Sequence, residues 1–121
     1  MKKFYFINFV LISNAFFSQS LTGVGFQKDI KEYWAINVQI NTQEDISVSY
    51  PSLGCSGKWL LIKEDKNLTL LKERITYGVD KCIPENYIVM TRDNLSPTTF
   101  RFYIFENVED EIPYAVGVLE K

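Results

Sequence analysis

The chain has no histidine among its 121 residues. This absence excludes Ser-His-Asp and Cys-His catalytic sites, which need an imidazole base, and it excludes histidine-ligated metal centres. Only two cysteines are present, so a metal site built from soft ligands would also lack donors. We therefore expect no metal and no cofactor, and we predict that the protein is not an enzyme.

The chain also lacks a run of basic residues. Its 13 lysines and arginines are outnumbered by 15 aspartates and glutamates, and no basic cluster exceeds two adjacent residues. A nucleic-acid-binding protein needs a basic face that neutralises phosphates and releases counterions. The composition therefore predicts that nucleic acid is not a partner.

No apolar run is long enough to span a membrane comfortably, because a spanning helix needs about 20 apolar residues. The longest run covers residues 4–17, is broken by three polar residues and follows two lysines. A positive start, a short apolar segment and an exit of small residues are typical of a secretory signal peptide. We predict a signal peptide over residues 1–18, cleaved after Ser18 or Gln19, and a mature protein without a membrane span. An uncleaved N-terminal anchor or a disordered tail is the alternative.

Residues 19–121 contain no repeat and no linker, so we predict a single domain with a core of modest size. This part carries 11 basic and 15 acidic residues, a net charge of −4. It contains both cysteines, Cys55 and Cys82, and an even number of cysteines in an exported chain favours a disulfide. The bond would close a loop of about 27 residues and stabilise the fold by roughly 3–4 kcal/mol. Two separate buried thiols are the alternative.

Short runs with a two-residue period dominate this domain. In residues 33–41, Trp34, Ile36, Val38 and Ile40 fall on one face, and strict alternation over nine residues predicts a half-buried strand. Turn residues such as Pro51 and Gly54 separate the runs. Residues 68–75 are also rich in helix-forming residues, so a helix is the alternative there. The predicted strands cover residues 21–27, 33–41, 45–50, 58–63, 68–77, 87–92, 99–106 and 114–120.

Most links between these strands are short, whereas parallel crossovers need about a dozen residues or more. Short links favour an antiparallel meander, and eight strands can close on themselves and remove the sheet edges. We therefore predict an all-β fold, a small up-and-down barrel of about eight antiparallel strands. An open β-sandwich is the alternative.

The segment from Tyr50 to Trp59 contains an aromatic residue, a turn and a cysteine. It reads Tyr-Pro-Ser-Leu-x-Cys-x-Gly-x-Trp, and Glu-x-Ile-x-x-Gly-x-x-x-Cys follows, ending at Cys82. This pattern resembles a small exported bacterial domain. The resemblance covers residues 47–82 and implies a Cys55–Cys82 bridge, no catalytic residues and no assigned activity. The bridged loops then form either a recognition surface or a structural staple.

One acidic residue falls on an apolar strand face. Alternation places Glu73 on the same face as the apolar residues two positions before and after it, so we expect it to face the core. A buried carboxylate needs a cation or a hydrogen-bond donor, and we expect Lys58 or Arg101 to serve. A hydrolase would need two converging acids, and nothing in the sequence places Glu73 beside Asp80.

Residues 100–105 are apolar on both strand faces. One face would line the interior, and the other would be a docking stripe or would be covered by a loop. Aromatic residues anchor interfaces, so we predict Trp59, Tyr77 and Tyr103 as binding residues.

These features predict an exported, non-enzymatic binding module, periplasmic or secreted, whose partner is an extracytoplasmic protein or an envelope component. A small periplasmic inhibitor would act in this way. The alternatives are a barrel that carries a small apolar ligand and, least favoured, a hydrolase. An eight-stranded barrel holds either packed side chains or one small ligand, and the apolar residues here favour a filled interior. The sequence sets no oligomeric state.

Overall fold

A computed structural model describes residues 18–93 and 95–121, so the predicted signal peptide lies outside the described residues except for Ser18. The described part contains eight strands and no helix, and therefore no helix that could cross a membrane. The strands are β1 (Gln19–Gln27), β2 (Glu32–Thr42), β3 (Asp45–Tyr50), β4 (Cys55–Glu64), β5 (Leu68–Tyr77), β6 (Glu85–Arg92), β7 (Thr99–Phe105) and β8 (Ala115–Glu120).

Each strand pairs antiparallel with the next one, and β8 pairs with β1, which closes the sheet into a barrel. The predicted up-and-down barrel is confirmed, and the open sandwich is not needed. The longest link between strands, residues 106–114, is shorter than the dozen or so residues of a parallel crossover. Residues 68–75 form a strand and not a helix, because β5 pairs with both β4 and β6.

The strand ends differ from the prediction in one informative place. We expected the fourth strand to begin at residue 58, whereas β4 begins at Cys55, because residues 55–57 already pair with β3. Gly57 permits this pairing, since a Cβ atom at that position would lie 2.1 Å from the carbonyl oxygen of Arg74. The two strands therefore approach more closely there than any other residue would allow.

The barrel interior is filled by side chains at the alternating inward positions. In β2 the buried residues are the four that alternation predicts, each at most 5% exposed: Trp34, Ile36, Val38 and Ile40. Trp59 and Phe102 are among the largest fully buried side chains. Burying a large apolar side chain stabilises a fold by roughly 1.5–3 kcal/mol, so this packed interior is the main source of stability.

The up-and-down topology sorts the links to two ends of the barrel. We call the end with links 28–31, 51–54, 78–84 and 106–114 the mouth. The opposite end, the base, has the links 43–44, 65–67 and 93–98. At the mouth, a disulfide joins Cys55 to Cys82, with 6.4 Å between the Cα atoms. The predicted bridge is confirmed, and it ties the start of β4 to the link between β5 and β6.

Candidate functional site

An open cavity of about 410 Å³ lies at the mouth of the barrel. The mouth links and the last inward residues of the strands surround it. Trp34 and Tyr50 form part of its wall, with 5.2 Å between their ring centroids in an edge-on arrangement, and Tyr114 adds a third aromatic ring. Glu73 and Asn86 line the same cavity and give it a polar wall.

Glu73 is the buried acid of this cavity, with 2% of its surface exposed. It lies directly opposite Trp59 on β4 and opposite Asn86 on β6. Because of this register, Trp59 donates a hydrogen bond from Nε1 to Oε2 of Glu73 at 3.0 Å, and Asn86 donates from Nδ2 to Oε1 at 2.8 Å. The hydroxyl of Tyr50 also donates to Oε2. Three neutral donors therefore hold the carboxylate.

The inward position of Glu73 is confirmed, but the expected cation partner is wrong. Lys58 lies next to inward-facing Trp59, so its side chain points outward, where Nζ contacts Oδ1 of Asp45 at 2.8 Å. Arg101 also points outward and lies 3.6 Å from Asp93. No basic residue in the described ranges forms an ion pair with Glu73.

A second layer of hydrogen bonds links this acid to the rim of the mouth. Asn86 accepts a hydrogen bond at Oδ1 from the hydroxyl of Tyr114 at 2.9 Å, and its Nδ2 also lies 3.3 Å from the carbonyl oxygen of Ile83. Asn86 thereby orients its amide with one donor toward Glu73. The network runs from the barrel interior to the end of the 106–114 link.

The electrostatic field in the mouth is negative. Burial raises the pKa of the Tyr114 hydroxyl well above its ordinary value, and the charges of Glu73, Glu106 and Asp29 raise it further. Burial likewise raises the pKa of Tyr50, with the charge of Glu73 as the next cause. Both hydroxyls therefore remain protonated donors at neutral pH. The basic side chain among the residues that line the cavity is Lys81.

Trp34 has an unusual position in the cavity wall. It is 5% exposed, and its six-membered ring covers Gly25, where a Cβ atom would come within 2.3 Å of ring carbon Cζ3. Its Nε1 is buried without a hydrogen-bond partner in the described part of the chain. An unsatisfied buried donor costs about 1–3 kcal/mol. Sequence alternation predicts Trp34 as a core residue, and nothing in the pattern marks this unpaired donor.

The three aromatic residues predicted to bind a partner lie in different places. Trp59 is 1% exposed and faces the core, so its expected position on the surface is wrong. Tyr77 is 71% exposed at the mouth end of β5. Tyr103 lies on the outer face of β7 and is half-buried. Binding by Tyr77 and Tyr103 stays a prediction.

Tyr103 lies in an apolar row that crosses five neighbouring strands on the outside of the barrel. It is paired with Val116 on β8 and with Val89 on β6. Val116 is paired with Phe26, and Phe26 with Tyr33, whose ring centroid lies 4.8 Å away. We call these five residues the outer band. Tyr33 is 74% exposed, and the other four are half-buried.

The opposite outer face has a different chemistry. Thr22, Asn37, Ser49 and Ser56 form one row across β1 to β4, and Ser20, Gln39, Ser47 and Lys58 form the next. These side chains are small hydroxyls, amides and one lysine. The outside of the barrel is therefore divided into a polar face and an apolar face.

Two acids line the mouth cavity, but their settings differ. Glu73 is buried and hydrogen-bonded, whereas Asp80 is exposed on the 78–84 link. The described residues contain no group of His, Cys, Asp and Glu side chains that could hold a metal ion. The cavity walls instead combine aromatic rings with one buried carboxylate, which is chemistry for holding a ligand.

The chain was compared with known proteins by sequence and by structure. No protein-family model matches the chain, and no curated protein and no solved structure matches it. The fold is established by the strand register, and the mouth cavity and the outer band are the two features from which function can be argued.

Proposed function

We propose that the protein is an exported, non-enzymatic binding module that acts in the periplasm or the medium. Its partner is a protein or an envelope component, contacted through the outer band. The observation that carries this proposal is the band itself, because contiguous apolar patches on the surface of a small domain mark interaction sites. Aromatic residues such as Tyr33 and Tyr103 are the side chains that anchor interfaces.

The contrast between the two outer faces supports this reading. Where the barrel faces solvent over β1 to β4, the outward positions carry serine, threonine and asparagine. The same kind of strand position in the outer band carries valine, phenylalanine and tyrosine. Strands lie about 4.8 Å apart, so the band is roughly 20 Å wide. That width provides the apolar centre of a protein interface, with the flanking Val24 and Val118 exposed by 47% and 40%.

Export is supported by the disulfide between Cys55 and Cys82. Such bonds form and persist in oxidising compartments and are rare in the cytosol. The signal peptide predicted over residues 1–18 agrees with this placement.

The filled interior favours a binding module over a carrier of an apolar ligand. Trp59 and Phe102 are fully buried in the barrel, whereas a carrier needs an apolar cavity that runs into the interior. The open cavity is confined to the mouth, and its wall includes the polar groups of Glu73 and Asn86.

A hydrolase is disfavoured by the available groups. The chain has no histidine, and both cysteines are bonded to each other. Serine or cysteine nucleophiles would therefore lack their usual base.

The test is capture of the partner by immobilised mature protein from the extracytoplasmic fraction of cells that produce it. Tyr103→Lys places a charge in the outer band, and Ser47→Lys places the same charge on the polar face as a control. We expect wild type and Ser47→Lys to retain the same partner, and Tyr103→Lys to bind it at least about 30-fold more weakly, as expected for an interface anchor. Equal retention by all three proteins would contradict the proposal.

A further inference from the structure

We propose that the mouth cavity binds an organic cation, a primary ammonium or guanidinium group on an apolar stem, with Glu73 as its counter-charge. A free amine and a lysine or arginine side chain of a polypeptide both carry this chemistry. The site is separate from the outer band, so this proposal does not depend on the proposed function.

The first argument is the missing counter-charge of Glu73. The carboxylate is 2% exposed, and its three hydrogen-bond donors are all neutral. A carboxylate oxygen can accept two hydrogen bonds, and Oε1 receives one from the described residues, that of Asn86. A buried charge is normally paired as well as hydrogen-bonded. A ligand cation would occupy the remaining acceptor position and supply the absent positive charge.

The second argument is the composition of the cavity wall. The rings of Trp34, Tyr50 and Tyr114 line the same cavity as Glu73. The faces of aromatic rings attract cations, and the effect is larger where water is excluded. Leu53 and Ile104 add aliphatic wall against which the stem of the ligand can pack. A cavity of about 410 Å³ falls within the range of small-ligand sites.

The third argument is the charge around the opening. The four mouth links carry six acidic and three basic residues. Much of this excess lies in the 106–114 link, whose acidic residues are Glu106, Glu109, Asp110 and Glu111. A cleft lined by charge of one sign focuses the field and raises the local concentration of the opposite ion. The mouth therefore attracts cations before they reach Glu73.

A further observation points to a ligand independently of charge. Nε1 of Trp34 is buried without a partner in the described part of the chain, and the indole lines the cavity. The six-membered ring covers Gly25, so the edge that carries Nε1 is turned away from that glycine. A ligand with a carbonyl oxygen near its cationic stem, as in a lysine residue, would satisfy this donor.

The test uses two pairs of probes that differ in one charge. N-acetyl-lysine amide is compared with N-acetyl-norleucine amide, and phenethylammonium with phenethyl alcohol, by NMR titration up to about 20 mM, which reaches weak millimolar binding. We expect the cationic member of at least one pair to bind about tenfold tighter than its neutral partner and to shift the mouth resonances. Binding of the lysine amide alone identifies a polypeptide side chain as the source, whereas binding of phenethylammonium identifies free amines. Equal binding within both pairs, or no binding of any probe, would overturn the proposal.

Three variants assign the effect to the cavity. Glu73→Gln should remove the preference for the cation, and retained preference would refute the role of Glu73. Lys81→Gln covers the case in which Glu73→Gln does not fold, because it removes a positive charge from the cavity wall and should strengthen cation binding by about threefold. Unchanged or weaker binding by Lys81→Gln would count against the site. Lys58→Gln, on the outer face, is the control and should bind like the wild type.

Discussion

The two tryptophans of the barrel offer a matched test of the Glu73 network. Trp59 and Trp34 are both buried, with 1% and 5% of their surface exposed. Nε1 of Trp59 donates to Glu73 at 3.0 Å, whereas Nε1 of Trp34 has no partner in the described part of the chain. Replacement of either residue by phenylalanine removes the same ring atoms, but only Trp59→Phe removes a hydrogen bond.

The magnitude follows from this difference. Each substitution loses packing of similar size, which leaves the hydrogen bond to the carboxylate of Glu73 as the distinguishing contribution. A hydrogen bond to a charged group contributes about 1.5–3 kcal/mol. Trp34→Phe also removes a buried donor that lacked an acceptor, which offsets part of its packing loss. We therefore expect Trp59→Phe to lower the free energy of unfolding by at least about 1.5 kcal/mol more than Trp34→Phe.

Urea unfolding followed by far-ultraviolet circular dichroism measures this difference, with the slope m as the check that both variants unfold like the wild type. Equal losses in the two variants would refute the reasoning, because the bond to Glu73 would then contribute nothing. A larger loss for Trp34→Phe would mean that the Trp34 donor is satisfied in solution.

Three further predictions concern stability. Reduction of the disulfide, or Cys82→Ser, should lower the free energy of unfolding by roughly 3–4 kcal/mol, measured in urea. Gly57→Ala should destabilise the barrel by at least about 1 kcal/mol in the same assay, because its Cβ would lie 2.1 Å from the carbonyl oxygen of Arg74. Burial raises the pKa of Glu64 from 4.5 to about 7. Folding favours its protonated form, so its contribution to stability is full below pH 4.5 and is lost as the pH rises to about 7. Solvent screening of this part-exposed group limits the loss to about 1 kcal/mol, and Glu64→Gln should abolish it.

Each of these expectations has a result that would contradict it. An unfolding midpoint unchanged by reduction would mean that the bridge contributes no stability. Wild-type stability for Gly57→Ala would mean that β4 and β5 lie farther apart than the structure places them. Identical slopes of stability against pH for wild type and Glu64→Gln, between pH 4.5 and 7, would remove Glu64 as the cause.

The strand pattern was predictable because its physical signals are local. Alternation in residues 33–41 selects the inward face of β2, and turn residues mark where strands end. Short links decide that neighbouring strands pair antiparallel, and eight such strands close a barrel. The disulfide followed from the even number of cysteines in a chain that carries a predicted signal peptide.

The sites were less predictable because they depend on register between strands. Residues 59–62 are all apolar, so alternation does not select the inward face of β4, and Trp59 was expected on the surface. The pairing of Trp59 with Glu73 also depends on two irregularities in the β4–β5 register, which a single sequence does not reveal. The apolar outer face of Tyr103 was visible in the sequence, but its alignment with Phe26 depends on the pairing of β8 with β1 that closes the barrel.

Native mass spectrometry of the mature protein, taken under gentle conditions from the cells that produce it, tests the central claim most directly. The account predicts that the wild type carries a second polypeptide and that the Tyr103→Lys variant is found without it. A small apolar molecule retained by both proteins, with no polypeptide on either, would contradict the binding-module account and favour a carrier.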